Sequence, residues 1–345
     1  MKGINYLISE DNGLHNHAGS KARNDVEDFL DSIDIKILKV NKFFNSQGII
    51  NKIKIVNIMS SDWFKIITQV KKDQNIIIQY PLESPKNIVN FFVKCTKKIK
   101  KAKFIAIIHD LESLRFDSKR KYEEIKYLNE FKYIIVHNEK MKEYLINLGI
   151  EESKFIVLEV FDYKVGKINT IIRELKNEVA IAGNLADIKS GYIYKLHNIN
   201  TTTKFNLFGP NYKGNTSENI NYFGQFPPEK IPEVLEGSFG LVWDGSEIES
   251  CTGITGKYLR YNNPHKLSLY IISQLPIVIW EKAAMADFVK KEKIGIVVKS
   301  LEEIEHKINN LSDEEYRNML SNINKISQNL KEGYYIKKAV QESIK

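Results

Sequence analysis

The sequence predicts an α/β protein made of two Rossmann-like halves, each a parallel sheet with helices on both faces. Three observations carry this expectation. Short apolar runs alternate with segments of helical period along the chain, the pattern of repeated βα units. The runs fall into two series, parted by the polar stretch 162–170. Gly183, Gly209, Gly224 and Gly245 follow apolar runs, at the strand ends where open parallel sheets bind ligands.

In the first series, residues 3–8 are expected as a strand and 11–20 as a polar loop. Residues 21–31 bring Ala22, Val26, Phe29 and Leu30 onto one helical face. Apolar strands are expected at 35–40, 75–79, 104–108, 133–136 and 155–158, with helical patterns between them. On a helix over about 86–101, Ile88, Phe92, Cys95 and Ile99 are expected to face inward, and Lys94, Lys97, Lys98 and Lys101 outward. The second series gives strands at 178–182, 204–208, 222–223, 239–243, 277–280 and 295–298. The domains expected are 1–165 and 166–325, with a last helix over 326–345 returning to the first.

Length and composition bound the function. The 345 residues suffice for two buried cores, and 43% hydrophobic with 27% charged residues is a globular balance. No run approaches the ~20 apolar residues of a membrane span, and residues 1–10 open a strand in place of a charged leader. The expected location is the cytoplasm. Cys95 and Cys251 are too far apart for a Cys-x-x-Cys site and are expected as buried thiols. The net charge of +8 is concentrated in the lysines of 94–103, read either as a solvated face or as contact with an anionic membrane at its inner side. No Gly-x-Gly-x-x-Gly is present, against a nicotinamide dehydrogenase, and Gly256-Lys257 lacks the rest of a P-loop.

The most informative stretch is 262–280. Pro264 bars an earlier helix start, and Lys266 and Ser268 fall in the first turn. Leu267, Ile271 and Leu275 form an apolar stripe, Pro276 ends the helix, and 277–280 reads as a buried strand. A helix start with free N–H groups and a lysine is an anion site, most often for phosphate.

This stretch resembles the Lys-Leu-x-x-Tyr-(Leu/Ile)-x-x-x-x-Pro-Val-Ile signature of GT-B glycosyltransferases, in which it grips the nucleotide-sugar. The longer string Cys251, Gly253, Gly256, Tyr258, Tyr261, Tyr270, Ala283, Ala284 and Phe288 is similar to a family of bacterial cell-surface glycosyltransferases. That family includes beta-1,6-galactofuranosyltransferases and the glucosyltransferases of serine-rich adhesins. The resemblance implies a GT-B fold, two Rossmann-like domains facing across a cleft. It implies that Gly183 and Asn184 line the donor phosphates and that 224–227, from Gly224, pass near uracil. Asp244 or the segment of Asn263, His265, Lys266 and Ser268 then handles sugar and diphosphate. Two departures are Leu269, where many relatives carry a ribose-binding glutamate, and Gln274, where a glycine usually precedes Leu275-Pro276, leaving the helix end without its favoured left-handed residue.

In the first half, His109-Asp110 follows an apolar run and resembles the family's strand-end His-Asp pair. Either residue can take a proton from an attacking hydroxyl, although Asp110 can equally cap the next helix. Asn16 and Gly19 also resemble the family pattern near donor sugar or acceptor. His137-Asn138 is a similar strand end, with Asn138 expected as an N-cap.

The expected function is transfer of a hexose, galactofuranose or glucose, from a UDP-sugar to a glycan acceptor on a lipid carrier or protein, in surface polysaccharide or glycoprotein synthesis. No cofactor is expected, and no metal, since Asp-x-Asp is missing and Lys266, a helix dipole and backbone N–H groups can offset the leaving charge. The alternative is a non-catalytic nucleotide-sugar-binding partner of another transferase. A basic nucleic-acid-binding protein is disfavoured, because no aromatics interleave the lysines. Oligomeric state is left open.

Overall fold

The computed structural model describes residues 5–11, 18–41, 49–82, 84–115, 121–166 and 171–345, and counts and absences below are of these residues. They form two compact units. The first holds the strand at 5–11 with Arg23–Leu158 and Ile336–Lys345; the second holds 18–22 with Glu159–Tyr335.

The first sheet has six parallel strands in the order β2-β1-β3-β4-β5-β6. These are β1 (Asn5–Asp11), β2 (Ile35–Asn41), β3 (Asn75–Tyr80), β4 (Lys103–Ile108), β5 (Tyr133–Val136) and β6 (Phe155–Val157). Helices α1 (Ala18–Asp31), α2 (Ile49–Gln69), α3 (Lys86–Lys100), α4 (Glu112–Arg115), α5 (Lys121–Leu128) and α6 (Glu139–Ile146) connect them. The inner strands are near-continuous apolar runs because both faces are covered: Ile76, Ile77 and Ile78 are fully buried and pair with β1 and β4. Trp63 of α2 stacks on Phe92 of α3 at 5.9 Å in the core over that sheet.

Two local expectations change here. β1 runs on through Asp11, because Ser9 and Glu10, though polar, are buried with partners: Ser9 Oγ donates to Glu27 Oε1 (2.6 Å), and Glu10 Oε1 accepts from Ser84 N (2.8 Å). On α3 the buried stripe is Val89, Phe92, Val93 and Thr96; Ile88 and Cys95 are half-buried, and Ile99 is 55% exposed. The two candidate stripes share Phe92, and its stacking on Trp63 belongs to the one that carries the β-branched Val89, Val93 and Thr96 inward.

The second sheet is also six-stranded and parallel, in the order β12-β11-β10-β7-β8-β9. Its strands are β7 (Glu178–Ala182), β8 (Lys204–Phe208), β9 (Ile220–Tyr222), β10 (Phe239–Val242), β11 (Ile277–Trp280) and β12 (Gly295–Val298). The helices after them are α7 (Asp187–Ser190), α8 (Ile231–Val234), α9 (Gly253–Tyr258), α10 (His265–Ile272), α11 (Ala286–Glu292), α12 (Ile304–Asn309), α13 (Asp313–Glu332) and α14 (Tyr334–Ser343). The segment 326–345, expected as one helix, spans the end of α13 and α14, divided by Gly333 at φ +71°.

Helix α10 starts behind Pro264 and buries Leu267 and Ile271, with Leu275 buried just beyond its end. It stops at Ile272, and Gln274, which was expected to leave this end without a left-handed residue, takes that conformation itself (φ +58°). Leu275 N closes the end by donating to Tyr270 O (2.9 Å), while Gln274 Nε2 donates to Ser327 Oγ (3.0 Å), so tertiary bonds hold a residue with a Cβ in this region. Tyr270 packs where only Gly240 fits: a Cβ on Gly240 would lie 2.2 Å from the ring. Its hydroxyl accepts from Ala182 N at the end of β7 (2.8 Å), so this tyrosine of the 262–280 stretch is a structural pin.

Candidate active site at the strand ends

The carboxyl edge of the second sheet carries the four glycines, all at positive φ. Three of them are linked across neighbouring strand ends: Gly183 N donates to Phe208 O (3.0 Å) and Gly209 N to Gly224 O (2.8 Å), whereas Gly245 N donates to Lys189 O (2.9 Å). Gly209 is packed, since a Cβ there would sit 1.8 Å from Gly183 O. Beside Gly183 and Gly224 the space is open, with nothing within 4 Å of an added Cβ. Backbone at these two positions can therefore be approached closely by a ligand. Asn184 Oδ1 accepts from Ala186 N (3.1 Å) and Asn211 Nδ2 (2.9 Å), which shapes the turn after β7.

At the same sheet edge the start of α10 is bonded to the end of β10. Lys266 Nζ donates to Asp244 Oδ1 (2.8 Å) and to Trp243 O (3.0 Å). The other polar residues of the segment divide. Asn263 Nδ2 donates to Glu159 O (3.0 Å) and Ser268 Oγ to Phe161 O (2.6 Å), both from buried positions, so their visible partners are the backbone of 159–161. His265 is different. Its ring lies 5.0 Å from Tyr163, and its buried Nε2 has no hydrogen-bond partner among the described residues. Burial first, then the charge of Lys21, pushes its imidazole down to about 3, so it is neutral at physiological pH. Lys21, absent from the sequence-based candidates, donates to Lys164 O (2.8 Å) and lies 4.4 Å over the Tyr163 ring. No periodicity signals such a residue, because its neighbours come from a segment more than a hundred positions away.

The first unit's strand ends carry the proton-transfer candidates. His109 Nε2 is 2.7 Å from Gln79 Oε1, and Asp110 is ion-paired to Arg115. The N–H groups of Glu112 and Ser113 at the start of α4 donate to the buried Glu124 carboxylate (2.9 and 3.1 Å), which supplies a cap from α5. His137 is buried with its Nε2 3.0 Å from Ile108 O, and Asn138 caps α6 by accepting from Met141 N. Asn16 lies outside the described residues, and Gly19 falls in the first turn of α1. No group of three or more His, Cys, Asp or Glu side chains that could hold a metal occurs among the described residues.

Residues 5–160 match the family described as Glucosyltransferase 3-like, N-terminal domain, and residues 179–343 match its C-terminal domain counterpart. The chain belongs to the glucosyltransferase 3-like family of GT-B glycosyltransferases. Across 98% of both chains this glucosyltransferase 3-like protein is 32% identical to beta-1,6-galactofuranosyltransferase WbbI of Escherichia coli strain K12. It is 27% identical to Glucosyltransferase 3 of Streptococcus gordonii over 81% of each. Among solved structures, Anabaena HepE in complex with UDP has the same fold, with a TM-score of 0.65 over 99% of both chains at 11% identity.

Proposed function

We propose that this chain transfers a hexose from a UDP-sugar to a glycan acceptor in surface glycan synthesis. UDP-galactofuranose is the first donor to test, given the near full-length similarity to WbbI. The observation that carries the reading is the Lys266–Asp244 pair at the start of α10, on the same sheet edge as the open Gly183 and Gly224 positions. In this reading the diphosphate lies against the first turn of α10, where N–H groups, the dipole and Lys266 meet its charge. His265 Nε2 supplies a further polar contact to the diphosphate, Asp244 accepts from the sugar hydroxyls, and Asn263 and Ser268 shape the segment from behind. The second unit is the donor side and the first the acceptor side.

At the end of β4, His109 or Asp110 takes the proton of the acceptor hydroxyl. The oxygen's electron pair forms the new bond to the anomeric carbon, and the bond to the diphosphate breaks, releasing UDP. No metal is required in this scheme. A lipid-linked acceptor would suit the exposed side of α3, where Lys94 and Lys98 flank exposed Phe91 and Ile99. Among the described residues no helix is long and apolar enough to cross a membrane.

Thermal shift against a panel of UDP-sugars, followed by UDP release with acceptor extracts, tests the reading. A raised melting temperature with one donor and acceptor-dependent UDP release are expected. Binding without release would favour the silent-partner alternative. No response to any UDP-sugar would end the proposal.

A further inference from the structure

His109 is held by side chains whose hydrogen-bond direction is fixed. Gln79, on β3, is polar within the run Ile76 to Tyr80 and only 2% exposed. Its Nε2 lies 3.3 Å from Arg23 O and 3.2 Å from Glu27 Oε1, and its Oε1 lies 2.7 Å from His109 Nε2. A backbone carbonyl can only accept, so the amide NH2 must face Arg23 O. The oxygen then faces the imidazole and can itself only accept. His109 Nε2 must therefore carry the proton, and in the neutral ring the lone pair sits on Nδ1. The arrangement is braced from behind. Ser9 Oγ donates to the same Glu27 Oε1 (2.6 Å), and Arg23 donates to Gln79 O (2.9 Å) and Pro81 O (2.6 Å), which fixes the end of β3.

We infer that Gln79 is a positioning residue that holds His109 in its Nε2–H tautomer, which makes Nδ1 the basic nitrogen of the neutral ring. The consequence for catalysis rests on the reading above that places proton removal at the end of β4. The hydroxyl proton passes to Nδ1 and makes an imidazolium that keeps its Nε2–H bond to Gln79. The electron pair left on oxygen forms the glycosidic bond, the pair of the breaking bond leaves with UDP, and the imidazolium later returns its proton to water.

The test is nitrogen NMR of the full chain labelled in histidine, at a pH where the ring is neutral, with His109 assigned by its loss in His109→Asn. The wild type should show Nε2 protonated. Gln79→Met, which keeps length and removes the acceptor, should shift His109 towards a tautomer mixture and lower kcat at least about tenfold with donor KM unchanged. Should Gln79→Met not fold, the wild-type spectrum still decides, because Gln79 Oε1 can only accept and a neutral ring protonated on Nδ1 alone could not bond it. A wild-type ring protonated on Nδ1, or an unchanged ring in Gln79→Met, overturns the inference. Wild-type turnover in His109→Asn with the expected spectra removes the base role from this histidine and leaves the tautomer assignment standing.

Discussion

Lys266 and Asp244 form an ion pair of 2.8 Å with side chains only 12% and 10% exposed. The pair makes the first turn of α10 electrically closer to neutral than a lone lysine would, so an incoming diphosphate must compete with Asp244 for the ammonium group. The two residues can therefore be separated by mutation.

Lys266→Ala should lower kcat/KM by roughly 30- to 900-fold, the equivalent of ~2 to 4 kcal/mol for one dedicated charge-stabilising donor. Asp244→Asn should tighten UDP binding by removing the competing carboxylate, measured by titration calorimetry. Melting temperatures of both variants separate binding from stability, since an unpaired carboxylate in a mostly buried place is itself costly. Activity of Lys266→Ala within about threefold of wild type would remove this lysine from the donor site.

Asp110→Asn and His109→Asn divide the base role at the end of β4. Asparagine keeps the shape of the aspartate and caps a helix equally well, so a purely structural Asp110 tolerates it. With Asp110 paired to Arg115 and His109 oriented by Gln79, the larger loss in kcat, about 100-fold, is expected for His109→Asn. A 100-fold loss in Asp110→Asn with normal stability would move the base role to the carboxylate.

Turnover should survive excess EDTA, because Lys266 and the α10 N-terminus are proposed to offset the leaving charge. An EDTA-inactivated enzyme that manganese restores would contradict that proposal.

His137 gives the fold a defined acid sensitivity. Burial pushes its imidazole from 6.5 down to about 4 in the folded protein. The unfolded chain binds this proton below about pH 6.5 and the folded one does not until about pH 4, so stability falls as pH drops through that window. The contribution is on the order of 3 kcal/mol, fully present above pH 6.5 and lost by pH 4. Denaturant unfolding of wild type and His137→Gln should converge towards acid pH. An identical pH dependence in the two would rule out His137 as the source.

The alternation of strands and helices was legible in the sequence because burial on both faces demands continuous apolar runs, and that requirement acts within each segment. The same holds for the start of α10: Pro264 and the stripe Leu267, Ile271 and Leu275 state where the helix begins and which side it buries. The glycines after β7, β8 and β9 were legible for a similar reason, since the chain turns sharply at each strand end. Which of them is packed and which is open was not, because Gly209 is set by the carbonyl of Gly183 on a neighbouring strand. Only the tertiary structure showed that Asn263 and Ser268 bond the backbone of 159–161, that Gln274 is held left-handed by Ser327, and that α3 turns Val93 inward and Ile99 outward. In each case the deciding partner is distant in the chain, and a hydrogen bond or a stacked ring has no period along the sequence. The chemistry-bearing residue types were written locally; their orientation, down to the ring nitrogen of His109 that carries the proton, was decided by side chains such as Gln79 that folding brings alongside.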